Sequence, residues 1–176
     1  MNRPMKVWYS AIVAIVAAML ISAVSFADQK APNSKYLLKE EPTKAAAVIA
    51  TREKAKDKED VVVVGRIGGR ANPWVKGAAA FSIVDTSLKA CSDIPGDKCE
   101  TPWDYCCEAN LPKATLLVTI VDETTGQTVK QDARELLQVR ELQTVVVEGK
   151  ARRDKAGNVS IAASKIFLRP DKEANK

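Results

Sequence analysis

From Asp60 to Leu168 short apolar runs alternate with breaks rich in Gly, Pro and charge, the rhythm of a small β-protein. The first run, VVVVGRIGG at 61–69, is β-branched with a glycine in its middle, which predicts a strand with a bulge or sharp bend. GAAAFSIVD at 77–85 follows a Pro73-Trp74 turn and predicts a second strand. ATLLVTIVD at 114–122 predicts a third, with Leu117, Thr119 and Val121 on one face and Leu116, Val118 and Ile120 on the other; Thr124-Thr125-Gly126 ends it. The period then changes. DARELLQVREL at 132–142 sets Ala133, Leu136, Leu137 and Arg140 at helical spacing, a short amphipathic helix. TVVVEGKAR at 144–152 and NVSIAASKIFL at 158–168 are strands again, joined by a hairpin turn through Asp154 and Gly157. The order is three strands, a helix and two strands.

The flanks have a different texture. Arg3 and Lys6 precede an uncharged run from Val7 to Ala27 that ends Ser25-Phe26-Ala27, with small residues where a signal peptidase cuts. Residues 1–27 therefore read as a signal peptide, or as an uncleaved membrane anchor, since the run is also long enough to span a bilayer. Both readings place the remainder in the periplasm, the cell envelope or the medium. Residues 28–59 are polar, with Ala45, Val48 and Ile49 forming the modest apolar face of one marginal helix within 43–56; they read as a spacer. Residues 170–176 read as a solvated tail.

The strand order, with its helix between the third and fourth strands, resembles the OB-fold over residues 60–169. The expected fold class is all-β: a five-stranded OB-fold-like Greek-key barrel with one short helix between strands 3 and 4. Gly65 and Gly149 suit the strong coiling of a small barrel. A β-sandwich or a mixed α+β sheet is the alternative. The chain, with GRIGG, NPW and TPWDYCC, also resembles uncharacterised exported proteins of planctomycete-type bacteria, a likeness that implies no activity.

OB domains hold ligands across the second and third strands, between the first-to-second and fourth-to-fifth loops. The resemblance therefore implies a ligand face built from Arg66, Arg70, Trp74 and Lys76 on one side and Lys150, Arg152, Arg153 and Lys155 on the other. Cations with an aromatic ring between them match the recipe for single-stranded nucleic acid. The same groups suit an anionic ligand, a peptide or an envelope protein. Aromatic residues make up only 5% of the chain, too few for a platform of several stacked bases. The formal net charge is +5, and much of it lies in the ends, so charge alone requires no polyanionic partner.

All four cysteines, Cys91, Cys99, Cys106 and Cys107, fall within residues 86–112, a long loop between the second and third strands. Outside the cytoplasm an even count predicts two disulfides. Direct linkage of Cys106 to Cys107 would need a strained small ring, so Cys91 and Cys99 are each expected to bond one of that pair. Trp103 and Tyr105 would then lie over the sulfurs or the barrel wall. The alternative is zinc or copper held by the same four residues. The Cys-x7-Cys-x6-Cys-Cys spacing provides none of the paired knuckles usual in zinc sites.

The chain contains no histidine. That removes Ser-His and Cys-His nucleophilic catalysis and His-ligated catalytic zinc. It also counts against likeness to the exported OB proteins that hold haem through histidine. Asp85, Asp104, Asp122 and Glu148 are the available carboxylates, each at a strand end or turn. The expectation is a non-catalytic, exported OB-fold binding or scaffold domain without a cofactor.

Overall fold

A computed structural model describes residues 34–170. The expected leader at 1–27 lies outside the described residues, as do residues 171–176. Among the described residues no helix is long and apolar enough to cross a membrane. The elements in chain order are β1 (Ala46–Ala47), α1 (Val48–Lys54), β2 (Asp60–Ile67), β3 (Ala80–Val84), β4 (Thr115–Ile120), α2 (Ala133–Leu137), β5 (Thr144–Arg153) and β6 (Val159–Leu168).

Strands β2 to β6 close on themselves. β2 pairs antiparallel with β3 (Arg66 opposite Val84), and β3 with β4 (Ser82 opposite Leu117). β4 runs parallel to β6 (Leu117 opposite Ser160), β6 antiparallel to β5, and β5 returns to β2 from Asp60–Lys150 to Arg66–Thr144. This order, β2-β3-β4-β6-β5-β2 with a helix between β4 and β5, defines the protein as an OB-fold barrel.

Alternation along each strand fills the barrel. Val63, Ile67, Phe81, Ile83, Leu116, Val118, Ile120, Val145, Val147, Ala151, Ile161 and Ile166 are buried in one apolar core. The expected apolar face of α2 also enters it, through Ala133, Leu136 and Leu137. α2 begins where Asp132 accepts the Arg134 amide, and it ends at Leu137 because Gln138 turns left-handed at φ 57°. It is therefore shorter than the periodicity predicts. Val139 is buried beyond the helix end, and Leu142, with φ 65°, helps turn the chain into β5.

The stretch read as a spacer is, over its described residues, part of the fold. Tyr36, Val48 and Ala55 are buried in the barrel core, Leu38 donates its amide to the Ile166 carbonyl, and β1 adds in parallel to β2. Asp85, at the end of β3, is 2% exposed and receives the Ile49 amide together with the Ser87 amide and hydroxyl. It thereby ties the first turn of α1 to the barrel.

Burial pushes the Asp85 carboxyl upward, but the N–H donors of Ile49, Ser87 and Val48 and the Ser87 hydroxyl outweigh it and hold it below the usual carboxylate range. A depressed folded-state value contributes stability above the unfolded-state value of roughly 4, and that contribution disappears as pH falls through the folded value. Asp85→Asn should therefore be less stable than the parent by about 1–3 kcal/mol at pH 7. The gap should shrink as pH falls below about 4. Thermal melts of both proteins between pH 7 and pH 2.5 check this; a gap independent of pH would contradict it.

Candidate functional site

The loop from β2 to β3, the outer face of β4 and the β5–β6 hairpin together form a continuous groove. One end is lined by Arg52, Arg70, Trp74, Val75, Leu111 and Thr115, among others, and encloses about 610 Å³, a size that suits an extended ligand. The other end is lined by Asp57, Lys58, Arg152, Arg153 and Asp154, and the two ends share Leu117, Asn158 and Val159. Leu117 (43% exposed) and Val75 (41%) are the large apolar side chains that the described surface leaves open to solvent. Both line this groove. Its position over β3 and β4 is the one where OB barrels hold ligands.

The expected ligand residues separate into those facing the groove and those the fold has already engaged. Arg70 and Arg152 are exposed along it. Lys76 and Lys155 are exposed on the two flanking loops. Trp74 is 8% exposed: its indole N–H donates to Glu141 Oε1 at 2.6 Å, and its ring packs against Phe81. It supports the groove wall and presents no open face for stacking. Arg153 donates to the carbonyls of Arg52, Ala55 and Gly157, clasping the C-terminal end of α1 to the hairpin. Lys150 pairs with Asp60 at 2.7 Å beside a separate depression over the β5–β6 bulge. Arg66 lies elsewhere, bonded to the Leu142 carbonyl and ion-paired with Asp93.

Sequence reasoning missed Arg52 and Leu117. Arg52 sits on a helix read as spacer, and in the fold it reaches the Thr115 carbonyl at 2.7 Å. Leu117 did leave a signal. A strand apolar on both faces, in a barrel with only one interior, must show one apolar face outside.

Residues 86–112 pack onto the end of β2. Gly69 donates to the Trp103 carbonyl at 2.8 Å, and the Trp103 indole donates to the Ala71 carbonyl at 3.0 Å. Tyr105 is fully buried with Val84 and Ala90, flanked by Leu88, Leu111 and Leu142, so this loop has a small apolar core of its own. The expected disulfides are not shown: no two of the four cysteines stand at disulfide distance, and Cys91 and Cys106 hold their sulfurs 3.6 Å apart, against a covalent S–S distance of about 2.05 Å. The Cys106 thiol is pushed up by hydrogen bonding to Cys91 and Cys107 before any effect of burial, and the Cys91 thiol is pushed up mainly by desolvation.

Of the other carboxylates, Asp122 holds structure together. Asp122 accepts the Thr124 and Thr125 amides and pairs with Lys35, which with those amides holds its carboxyl down at about 2.

No protein-family model matches the chain, and no curated protein does, so the likeness to planctomycete-type exported proteins finds no support. Two crystal structures of Rim1, a mitochondrial single-stranded DNA-binding protein of S. cerevisiae, one of them selenomethionine-labelled, share 19% and 16% identity with it. Each match covers 66% of this chain and all of the other, with TM-scores of 0.37 and 0.34. A proposed aspartyl-tRNA synthetase of Leishmania major Friedlin shares 8% identity over 82% of this chain and 24% of its own, with a TM-score of 0.40. At these values the likeness is too weak to inform function. The OB assignment rests on strand order and register.

Proposed function

We propose that this is a non-catalytic OB-fold binding domain, exported to the cell envelope by its N-terminal leader, that holds an extended peptide segment of a partner protein in the groove across β4. The observation that carries this reading is the coincidence of Leu117 and Val75 with Arg52, Arg70 and Arg152 on one track. An apolar strip flanked by guanidinium groups suits a chain bearing both apolar and acidic side chains. Asp57 and Asp154 on the same track set it against a polyanion. Trp74, committed to Glu141 and Phe81, offers a nucleic-acid base nothing to stack on.

An amide NMR titration tests the reading with a panel of acidic-apolar peptides and, separately, an oligo-dT strand at low salt. Peptide binding should shift residues 69–75, 115–117 and 158–160, and Leu117→Lys should weaken it at least tenfold. The same substitution adds a cation to the track and would strengthen oligonucleotide binding. Tighter binding of oligo-dT than of any peptide, or peptide shifts confined to other surfaces, would overturn the peptide reading. Export is checked by N-terminal sequencing of protein from its native cells, with Asp28 expected as the first residue if the leader is cleaved.

A further inference from the structure

Three cysteines and one aspartate converge in the loop between β3 and β4. Cys91 opens a 3-10 turn (Cys91–Asp93), Asp104 closes another (Pro102–Asp104), and Cys99 and Cys106 flank the second. Their ligand atoms, three Sγ and one carboxylate oxygen, all lie within 4.8 Å of one another. Cys91 Sγ is 3.6 Å from Cys106 Sγ and 3.6 Å from Asp104 Oδ1, and Cys99 Sγ is 3.9 Å from the same oxygen. These three separations are close to those of a tetrahedral coordination shell. With metal–sulfur bonds of about 2.3 Å and a metal–oxygen bond of about 2.0 Å, neighbouring ligand atoms stand roughly 3.5–3.8 Å apart. A disulfide would require about 2.05 Å between two of the sulfurs.

The backbone holds the four in place. Asp104 Oδ2 accepts the Thr101 hydroxyl at 2.9 Å and Oδ1 accepts the Cys106 amide at 2.9 Å, which orients the carboxylate. Tyr105 stands between two of the ligands in a left-handed conformation (φ 58°), and its buried ring fixes the reversal that brings Asp104 and Cys106 to one side. Cys91 is buried, whereas Cys106 is exposed, leaving an entry side for an ion.

We propose that Cys91, Cys99, Cys106 and Asp104 bind a structural zinc ion, with Cys107 outside the shell: its sulfur, 3.9 Å from Cys106 Sγ, groups instead with Cys91 and Asp97, a set of three that leaves the tetrahedron incomplete. All four tetrahedral positions come from the protein, so the ion closes the loop and leaves no coordination position for substrate. Binding releases the thiol protons to solvent. Trp103, adjacent to Asp104, bonds to Gly69 and Ala71 through its carbonyl and indole, so the closed loop also steadies one wall of the peptide groove. The zinc site does not depend on the identity of the groove's ligand.

The test uses the whole chain, purified without chelator and loaded with zinc or cobalt(II). Native mass spectrometry and elemental analysis should show one zinc per chain, and cobalt(II) should give the thiolate-to-metal absorption of a tetrahedral site. Cys99→Ser should weaken metal binding at least 100-fold, Asp104→Asn by roughly 10–100-fold, and Cys107→Ser should leave it within about twofold. Oxidised protein with two disulfides and no metal would overturn the proposal. So would Cys107→Ser losing zinc as Cys99→Ser does, or copper(I) occupying a site that zinc does not. If Cys99→Ser fails to fold, the contrast between Asp104→Asn and Cys107→Ser decides by itself.

Discussion

Gly149→Ala should destabilise the barrel by about 3 kcal/mol or more, lowering Tm by roughly 10 °C. A Cβ at this position would overlap the Ala162 carbonyl oxygen and stand 2.7 Å from the Ala163 Cα. Both are backbone atoms of β6, and no rotamer change can move them aside. The contact arises where the β5–β6 register slips: Glu148 faces Lys165 but Gly149 faces Ala163, so β6 carries one extra residue, Ser164. β5 is clamped on its other edge by β2, with Gly149 opposite Val61, and cannot shift outward without opening the barrel. Gly65→Ala is the comparison. Its new methyl would meet Ile83 Cδ1 at 2.9 Å, Cβ at 3.0 Å and Cγ1 at 3.1 Å; the Cδ1 end can turn aside and β3 need yield only a few tenths of an ångström at the Cβ, a smaller cost than at Gly149. Chemical denaturation of both variants checks the ranking, and equal losses would contradict the account.

Tyr105→Ala should release residues 86–112, with the apolar loss of about 3–5 kcal/mol typical of removing a buried aromatic ring. The ring is 0% exposed and is the largest member of the loop's small core. The expected readout is local. Amide exchange and proteolysis within 86–112 should rise well before the barrel melts, because the barrel core is a separate cluster. Tyr105→Phe should behave oppositely. The phenolic oxygen is buried without a hydrogen-bond partner, and burial pushes its pKa up to about 12. Removing an unsatisfied buried hydroxyl should be neutral or stabilising by about 1 kcal/mol. A large loss in Tyr105→Phe would show that the hydroxyl has a partner such as a bound water.

Several features of the fold are legible in the chain. Period-two runs, one period-3.6 segment between the third and fourth strands, and glycines at 65 and 149 suffice for an OB-like barrel, because each reports on local backbone geometry. The apolar face of α2 is read just as directly from Ala133, Leu136 and Leu137. The end of α2 is harder to read, since Gln138 adopts a left-handed conformation that its residue type does not announce. The helix within 43–56 is legible, but its packing is not: of its expected apolar face only Val48 enters the barrel core, joined by Tyr36 and Ala55, and the polar look of the stretch read as a spacer.

The chain alone determined the barrel, the clustering of four cysteines in one loop and the absence of imidazole chemistry. Tertiary structure decided what each polar side chain is used for. Arg152 and Arg153 are neighbours in one hairpin. One stays exposed on a groove, and the other is bound to carbonyls about a hundred residues away. Trp74 has the composition of a stacking residue but is held by Glu141, on the segment leading into β5. Cys91, Cys99 and Cys106 look unsuited to a metal by spacing, yet the left-handed turn at Tyr105 and its buried ring bring them together with Asp104. Local pattern fixes which residues share a strand face, because neighbouring residues share one backbone. Charge partners and ligand shells are set through space, by residues the chain brings into contact only when the barrel closes.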